Sequence, residues 1–234
     1  CVALVQEGVE LRAAGVDAPI LVLSEQPPEE LPAAVANRLQ LTVYRHETIE
    51  ALAALGATQH PVHVKIDTGM HRAGIDVDEV LTLVRAVDHS PSVSLAGVFT
   101  HLAVADDPGN GFTATQIARF DRTLGAIRDA GIEVPCVHIG NSAGAIAHPA
   151  ARRDMVRTGI AIYGIPPSPD LDLSGIDLRP ALALKARVSY VRRVRAGEAV
   201  SYGLRHRFAS DTTVAVLPLG YADGGRVGDG GGAE

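Results

Sequence analysis

The chain has 234 residues, of which 47% are hydrophobic, and its formal net charge is -6. This length is sufficient for one large core or two smaller ones, and the acidic charge argues against a nucleic-acid-binding or membrane-binding surface. The two cysteines, Cys1 and Cys136, make no disulfide framework, and no apolar run reaches membrane-spanning length, so we expect a cytoplasmic protein.

Strand patterns and helix patterns alternate along the first two-thirds of the chain. Short apolar runs predict buried strands, and the segments between them show the helical period with brief connections. The predicted strands are residues 19–23, 41–44, 62–66, 95–100, 134–139 and 155–157, preceded by an apolar run at residues 2–5. The clearest predicted helices are residues 29–39, 47–55 and 77–87.

This strict alternation indicates a parallel sheet. The fold class predicted for residues 1–165 is α/β, a (β/α)₈ TIM barrel, with an open seven-stranded sheet as the structural alternative. Because the barrel needs eight strands and seven are found, the count predicts that the first βα unit is missing. No glycine-rich dinucleotide fingerprint follows the first strand, which argues against a Rossmann fold.

The pattern changes after residue 165. Residues 166–179 are rich in proline, serine and aspartate and indicate a linker. Beyond it, residues 181–194, 199–202 and 212–219 are predicted strands with no helices between them. Residues 180–234 therefore indicate a second, mainly-β domain, which is thin enough to be incomplete.

Reactive side chains follow several of the predicted barrel strands. The carboxyl ends of parallel strands meet at one edge, where active sites are built, so we expect these side chains to converge. They are Lys65, Arg72, His101, His138, Asn141, Ser142 and Arg157. The loops at residues 140–142 and 158–160 follow the last two strands, where such barrels commonly bind phosphate, so a phosphorylated ligand is expected there.

Each candidate also has a structural interpretation. Lys65 at a strand end is compatible with a surface lysine, and His138 on an apolar strand with a core histidine. An arginine such as Arg157 on a buried strand needs a partner, and that pairing can be structural. Tyr202 is compatible with an ordinary strand aromatic, and neither a nucleophile elbow nor a metal-binding spacing is found.

Six motifs taken together resemble alanine racemase, the fold-type III family of pyridoxal 5'-phosphate (PLP) enzymes. They are residues 65–74 (KIDTGMHRAG), 99–102 (FTHL), 138–142 (HIGNS), 156–164 (VRTGIAIYG), 200–203 (VSYG) and 220–224 (GYADG). The resemblance implies a (β/α)₈ barrel, a C-terminal β domain, a head-to-tail homodimer and PLP as cofactor. It also implies interconversion of L-alanine and D-alanine, which supplies D-alanine for bacterial peptidoglycan.

The resemblance implies cofactor-binding roles for six residues: Arg157, Ser142, Gly159, Ile160, His101 and His138. Arg157 would hold the pyridine nitrogen of PLP, and His138 would support Arg157. Ser142, together with the N–H groups of Gly159 and Ile160, would bind the phosphate.

The resemblance assigns the remaining residues to the substrate and its surroundings. Arg72 would bind the substrate carboxylate, and Lys65 matches the lysine that is carbamylated in many members. His101 would belong to the hydrogen-bond network around the cofactor. Tyr202 would transfer protons in the active site of the other subunit, opposite a lysine, and Tyr221 matches a tyrosine at the substrate entrance.

One family motif has no match here. The PLP lysine follows the first barrel strand in a motif like KADAYGHG, and neither Lys65 nor Lys185, the two lysines of this chain, fits it. We therefore expect an internal fragment of a racemase that is inactive by itself. The alternatives are a broad-specificity racemase for serine or lysine, a related PLP-barrel protein and a non-catalytic PLP-binding remnant. The VSYG and GYADG motifs argue against the single-domain PLP-homeostasis protein and the decarboxylases of this fold type.

Overall fold

A computed structural model of the chain describes residues 1–223. The chain divides into two compact units, the first formed by Cys1–Ala181 and the second beginning at Leu182. Gly224, the last residue of the GYADG motif, lies outside the described residues, as does the side chain of Tyr221. No helix of the described part is long and apolar enough to cross a bilayer.

The first unit alternates helices and parallel strands. Its elements are α1 (Val5–Ala13), β1 (Leu21–Val22), α2 (Leu31–Ala36), β2 (Gln40–Val43), α3 (His46–Ala54), β3 (His60–Asp67), β4 (Ile75–Asp76), α4 (Val80–His89), β5 (Val93–Phe99), α5 (Phe112–Asp129), β6 (Val137–His138) and α6 (Ser142–Ala147). The predicted helix over residues 29–39 is shorter, because a 3₁₀ turn at Pro28–Glu30 precedes α2.

The strands of the first unit pair in chain order. The sheet runs β1, β2, β3, β5, β6 with every pairing parallel, and the short β4 pairs with the end of β3. Single parallel bridges, Val2 with Val22 and His138 with Met155, extend this order at both ends. Because the order never reverses as it does in a doubly wound sheet, the arrangement is that of a (β/α) barrel. The predicted fold class is confirmed over the open-sheet alternative.

Apolar periodicity explains how the helices pack on this sheet. In α4 the positions i, i+3, i+4 and i+7, occupied by Val80, Leu83, Val84 and Val87, are all fully buried. β2 and β3 are buried along nearly their whole length, as expected for strands covered on both faces.

The second unit consists of short antiparallel strands, β7 (Tyr190–Val194), β8 (Ala199–Val200), β9 (His206–Arg207) and β10 (Thr212–Val216). β7 pairs with β10, and β8 pairs with β9. The second unit is therefore mainly β, as predicted.

Several predicted strands are too long. Those at residues 19–23, 134–139 and 199–202 are reduced to β1, β6 and β8, each of 2 residues. In residues 155–157 only Met155 pairs, through its single bridge to His138. Residues 181–189 are not a strand, because β10 pairs with residues 190–194 alone and Leu182 is 85% exposed. A strand needs cross-strand partners to be stable, and β-propensity alone does not provide them.

An irregularity in β5 makes room for a buried histidine. The register shifts by one residue, so that Val62 pairs with Leu95 whereas His63 pairs with Gly97. A Cβ atom at position 97 would lie 2.5 Å from Nδ1 of His63 and 2.6 Å from the carbonyl oxygen of Cys136. Glycine is therefore required for the imidazole of His63 to lie across this strand.

We predict that Gly97→Ala lowers the free energy of unfolding by about 1–3 kcal/mol, because the added methyl overlaps the imidazole and a backbone carbonyl. The urea midpoint measures this change. Gly125→Ala in α5 is the matched control, since a Cβ there meets nothing within 4 Å and alanine favours a helix. Equal midpoints for the two variants would contradict the prediction.

Candidate active site

A cavity of about 820 Å³ lies in the first unit. This volume falls within the range of roughly 300–1,000 Å³ found for small-molecule sites. The loops after β3, β5 and β6 line it together with residues 155–160, so it lies at the carboxyl ends of parallel strands. Six of the residues singled out in the sequence contribute to this lining: His101, Asn141, Ser142, Arg157, Gly159 and Ile160.

Arg157 is a buried cation at the wall of this cavity. The residue is 9% exposed. Its Nη1 lies 2.7 Å from Nδ1 of His138, and its Nη2 donates to the carbonyl oxygens of Thr100 at 2.6 Å and Ile139 at 3.2 Å. Nη2 also lies 3.2 Å from Nδ1 of His101. The guanidinium is thus held by neutral acceptors at the carboxyl end of β6 and in the loops that follow β5 and β6.

Within residues 1–223, no carboxylate forms an ion pair with Arg157. The guanidinium carbon lies 4.9 Å from the ring centroid of Phe99, a favourable cation–π distance. Burial lowers the pKa of Arg157 to about 10, so the side chain remains charged at neutral pH. Its bonds to described residues use Nη1 and Nη2 only, which leaves the Nε–H of this cavity-lining side chain available to a ligand.

The histidines beside Arg157 are neutral. Burial, and then the charge of Arg157, lower the pKa of His138 to about 2 and that of His101 to about 4. Because a guanidinium only donates, Nδ1 of His138 must be the unprotonated acceptor, and its Nε2 carries the hydrogen. The ring of His138 also stacks on Phe99, with centroids 4.5 Å apart and planes inclined by 10°.

Ser142 accepts hydrogen bonds from two backbone N–H groups at another part of the cavity. Its hydroxyl oxygen accepts from the N–H of Gly159 at 2.9 Å and from that of Ala161 at 3.3 Å. The structure therefore brings Ser142 and Gly159 together as expected, and adds Ala161, which was missed in the sequence. The backbone turns in a 3₁₀ helix at Ile160–Tyr163, which directs the N–H of Ala161 rather than that of Ile160 to Ser142.

Lys65 lies near the carboxyl end of β3 and is 6% exposed. Its Nζ lies 5.7 Å from the centroid of Phe99, the same ring that Arg157 approaches. Burial lowers the pKa of Lys65, the charges of Arg72 and Arg157 lower it further, and Asp67 opposes them. Arg72 itself is exposed in the loop after β3. Cationic groups thus gather here with little compensating negative charge.

Two residues of α5 fix the loops around the cavity, and neither was singled out in the sequence. The side chain of Gln116 is fully buried; it donates to Oγ1 of Thr68 at 3.2 Å and to the carbonyl of His101 at 3.1 Å. Arg119 donates to the carbonyl of Thr68 at 3.0 Å. The sequence feature that could have identified Gln116 is its position on the buried face of the helix, next to Ile117 and one turn before Phe120.

The two candidate tyrosines belong to the second unit. Tyr202 lies in the turn after β8 and is 94% exposed, and Tyr221 begins a 3₁₀ turn at Tyr221–Asp223. Since each unit is described by itself, their roles toward the cavity stay predictions.

Comparisons with known proteins agree with this geometry. Models of the alanine racemase N-terminal and C-terminal domains match residues 1–167 and 181–228. Alanine racemase of Symbiobacterium thermophilum is 42% identical over 226 residues, with 95% of this chain and 60% of the relative covered. That of Nostoc sp. is 38% identical over 229 residues, with 95% and 59% covered.

Solved structures give the same result. A structure described as alanine racemase from Clostridium difficile 630 superimposes with a TM-score of 0.81 at 36% identity, covering 95% of this chain and 59% of the other. Biosynthetic alanine racemase from Pseudomonas aeruginosa gives a TM-score of 0.82 at 31% identity, covering 95% and 61%. The chain spans about three-fifths of the length of the relatives it matches. On these matches and on the order of its strands, the chain belongs to the alanine racemase family.

Proposed function

We propose that the whole protein is a PLP-dependent racemase that interconverts L-alanine and D-alanine. The observation that carries this proposal is Arg157, a buried cation with no carboxylate partner in residues 1–223 and an Nε–H available at the cavity. Family membership supports the reaction, since the relatives named above are alanine racemases.

The residues at the cavity fit the cofactor. When bound, PLP supplies an electron sink for charge that develops at the α-carbon of an amino acid. Arg157 would donate from Nε to the pyridine nitrogen and, because arginine hardly gives up its proton, would leave that nitrogen unprotonated. The sink is then moderate, which favours return of a proton to the α-carbon over transamination. Neutral His101 and His138 would keep the guanidinium in place.

The phosphate would bind at Ser142, where the N–H groups of Gly159 and Ala161 already converge on one oxygen. Ile160, which lines the same cavity, would supply a further backbone donor. Convergent N–H groups of this kind form an anion-binding concavity.

We also propose that Lys65 is carbamylated. Its ammonium group would first lose one proton, and the neutral amine nitrogen would then form a bond to the carbon of carbon dioxide and release a second proton, so that a buried cation becomes an anion. The depressed pKa of Lys65 favours the reactive neutral amine. The anion would pair with Arg72, which would in turn bind the carboxylate of the substrate.

Racemisation needs one proton-transferring group on each face of the α-carbon. Tyr202, supplied by the second subunit of a homodimer, would be one of them, and Tyr221 would line the substrate entrance. The other would be the family's cofactor lysine, for which neither Lys65 nor Lys185 is the match. The D-alanine formed would serve peptidoglycan synthesis in the bacterial cytoplasm.

We predict that the whole protein with PLP converts L-alanine to D-alanine, with L-serine and L-lysine as the comparison substrates.

Arg157→Lys weakens PLP binding at least about tenfold, since hydrogen bonds to charged groups contribute about 1.5–3 kcal/mol. A fluorescence titration with PLP measures this. We expect Ser142→Ala to weaken the binding of PLP and of inorganic phosphate alike. Its control is Ser94→Ala, which removes a hydroxyl whose one hydrogen bond within residues 1–223 is to the carbonyl of Gln59. Unchanged PLP affinity in Arg157→Lys and Ser142→Ala would contradict the proposed site.

Carbamylation predicts a carbonyl signal in the ¹³C NMR spectrum after equilibration with ¹³C-bicarbonate. Lys65→Arg abolishes this signal, because arginine lacks the amine, whereas Lys185→Arg leaves it unchanged. Lys185 is the matched control because it is the one other lysine of the chain and is exposed. A signal that survives Lys65→Arg would exclude this lysine as the site.

The neutral histidines make stability depend on pH. The pKa values of His63 and His101 are lowered to about 4 in the folded state, mainly by burial, while an unfolded histidine titrates near its model value of 6.5. Below pH 6.5 the unfolded state therefore binds more protons, so the stability present above that pH is lost as the pH falls toward 4.

We expect a slope of roughly 1 kcal/mol per pH unit for each such histidine. Urea unfolding at pH 7.5, 6.5 and 5.5, together with proton uptake on unfolding, measures the slope. His63→Gln reduces the uptake because one titrating group is removed. A free energy of unfolding that is constant from pH 7.5 to 5.5 would show that the histidines are not buried as neutral groups.

A further inference from the structure

A row of hydrogen bonds leads from Arg157 away from the cavity and into the interior of the first unit. Nη1 of Arg157 lies 2.7 Å from Nδ1 of His138. Nε2 of His138 lies 2.9 Å from Nδ1 of His63, and Nε2 of His63 lies 3.1 Å from Oε1 of Gln40. Both imidazoles are buried, and Gln40 opens β2.

The donor at one end of this row and the acceptor at the other give every bond in it the same direction. The guanidinium has no acceptor, so Nδ1 of His138 accepts and Nε2 of His138 must donate. Nδ1 of His63 is then an acceptor, and Nε2 of His63 donates onward. The last bond is consistent with this direction, because Oε1 of Gln40 is an acceptor. In each of the three bonds, the donor is therefore the group on the side nearer the cation.

The opposite tautomer of His138 would disturb Arg157. Its Nδ1–H would face the Nη1–H of Arg157, donor against donor, and the buried guanidinium would lose one of its acceptors. An acceptor at Nδ1 of His63 removes this alternative because it holds the hydrogen on Nε2 of His138. Aligned hydrogen bonds also polarise one another, which strengthens the bond nearest the charge.

Packing in the fold restricts the orientations of the two imidazoles. His138 is stacked on Phe99, and the ring centroids of His63 and His138 lie 5.1 Å apart in an edge-to-face contact. The shifted register at Gly97 provides the space in which His63 lies. The row is therefore built into β2, β3, β5 and β6 together.

We propose that His63 and Gln40 are positioning residues for Arg157. They hold His138 in the tautomer with hydrogen on Nε2, and so keep the guanidinium where a ligand of the cavity meets its Nε–H. The identity of that ligand as PLP rests on the proposed function, whereas the tautomer does not.

Two measurements on the whole protein test this proposal. Long-range ¹H–¹⁵N NMR of ¹⁵N-histidine protein, assigned from single histidine replacements, reports which nitrogen of His138 carries hydrogen. We expect hydrogen on Nε2 alone in the unaltered chain and a mixture of tautomers in His63→Leu. PLP titration of the same samples is expected to show roughly tenfold weaker binding in His63→Leu, as for loss of one hydrogen bond beside a charge.

Matched variants separate positioning from general packing. His60 is also buried on β3, but its Nε2 bonds to the carbonyl of Leu39 at 2.9 Å, outside the row. His60→Leu should therefore change neither the His138 signals nor PLP affinity, even if it lowers stability. His63→Gln should restore both, because an amide can accept from His138 and donate to Gln40. Gln40→Leu should shift both readouts in the same direction as His63→Leu and by less.

Hydrogen confined to Nε2 of His138 in both His63→Leu and Gln40→Leu would overturn the proposal, as would equal changes in His60→Leu. A chain that binds no PLP yet shows the expected tautomer shifts would retain the positioning role and refute the proposed cofactor. The two hypotheses therefore fail in different experiments.

Discussion

The first unit is organised by the need to bury the guanidinium of Arg157, which has no carboxylate partner in residues 1–223. An uncompensated charge in a protein interior is costly, and here neutral groups provide the compensation. The carbonyl oxygens of Thr100 and Ile139, the Nδ1 atoms of two histidines and the face of Phe99 surround the cation. A carboxylate would neutralise the charge, whereas dipoles preserve it, so the cavity retains a positive group that a ligand can use.

The parallel order of the strands makes this solvation possible. β5 and β6 are neighbours, so the residues that follow them, Thr100 and Ile139, end at the same level and direct their carbonyl groups at one point. The helix α5 then joins the loops after β3 and β5 through Gln116. The site is accordingly supported by buried side chains on regular elements, which is how precise geometry is maintained.

The site is cationic although the chain as a whole carries a formal charge of -6. Lys65 and Arg157 approach the same aromatic ring, and Arg72 is close enough to lower the pKa of Lys65. Such a cluster favours the binding of anions. The groups proposed to bind or form there are a phosphate, a carboxylate and a carbamate, and all three are anions. Burial, and then the same positive field, lower the pKa of the neighbouring histidines and keep them neutral, so that they act as acceptors.

The sequence by itself determined the alternation of strands and helices, the parallel barrel, the gathering of reactive side chains at strand ends and the family resemblance. These follow from local periodicity and from motif spacing, which a linear chain displays directly. Only the tertiary structure decided that residues 181–189 form no strand. It also decided that the N–H groups of Gly159 and Ala161 both donate to Ser142, and that Gln116 hydrogen-bonds to two loops. It alone also set the tautomer of His138. A hydrogen-bond direction depends on partners distant in the chain, such as His63 and His138, which are 75 residues apart and meet across a strand with a shifted register.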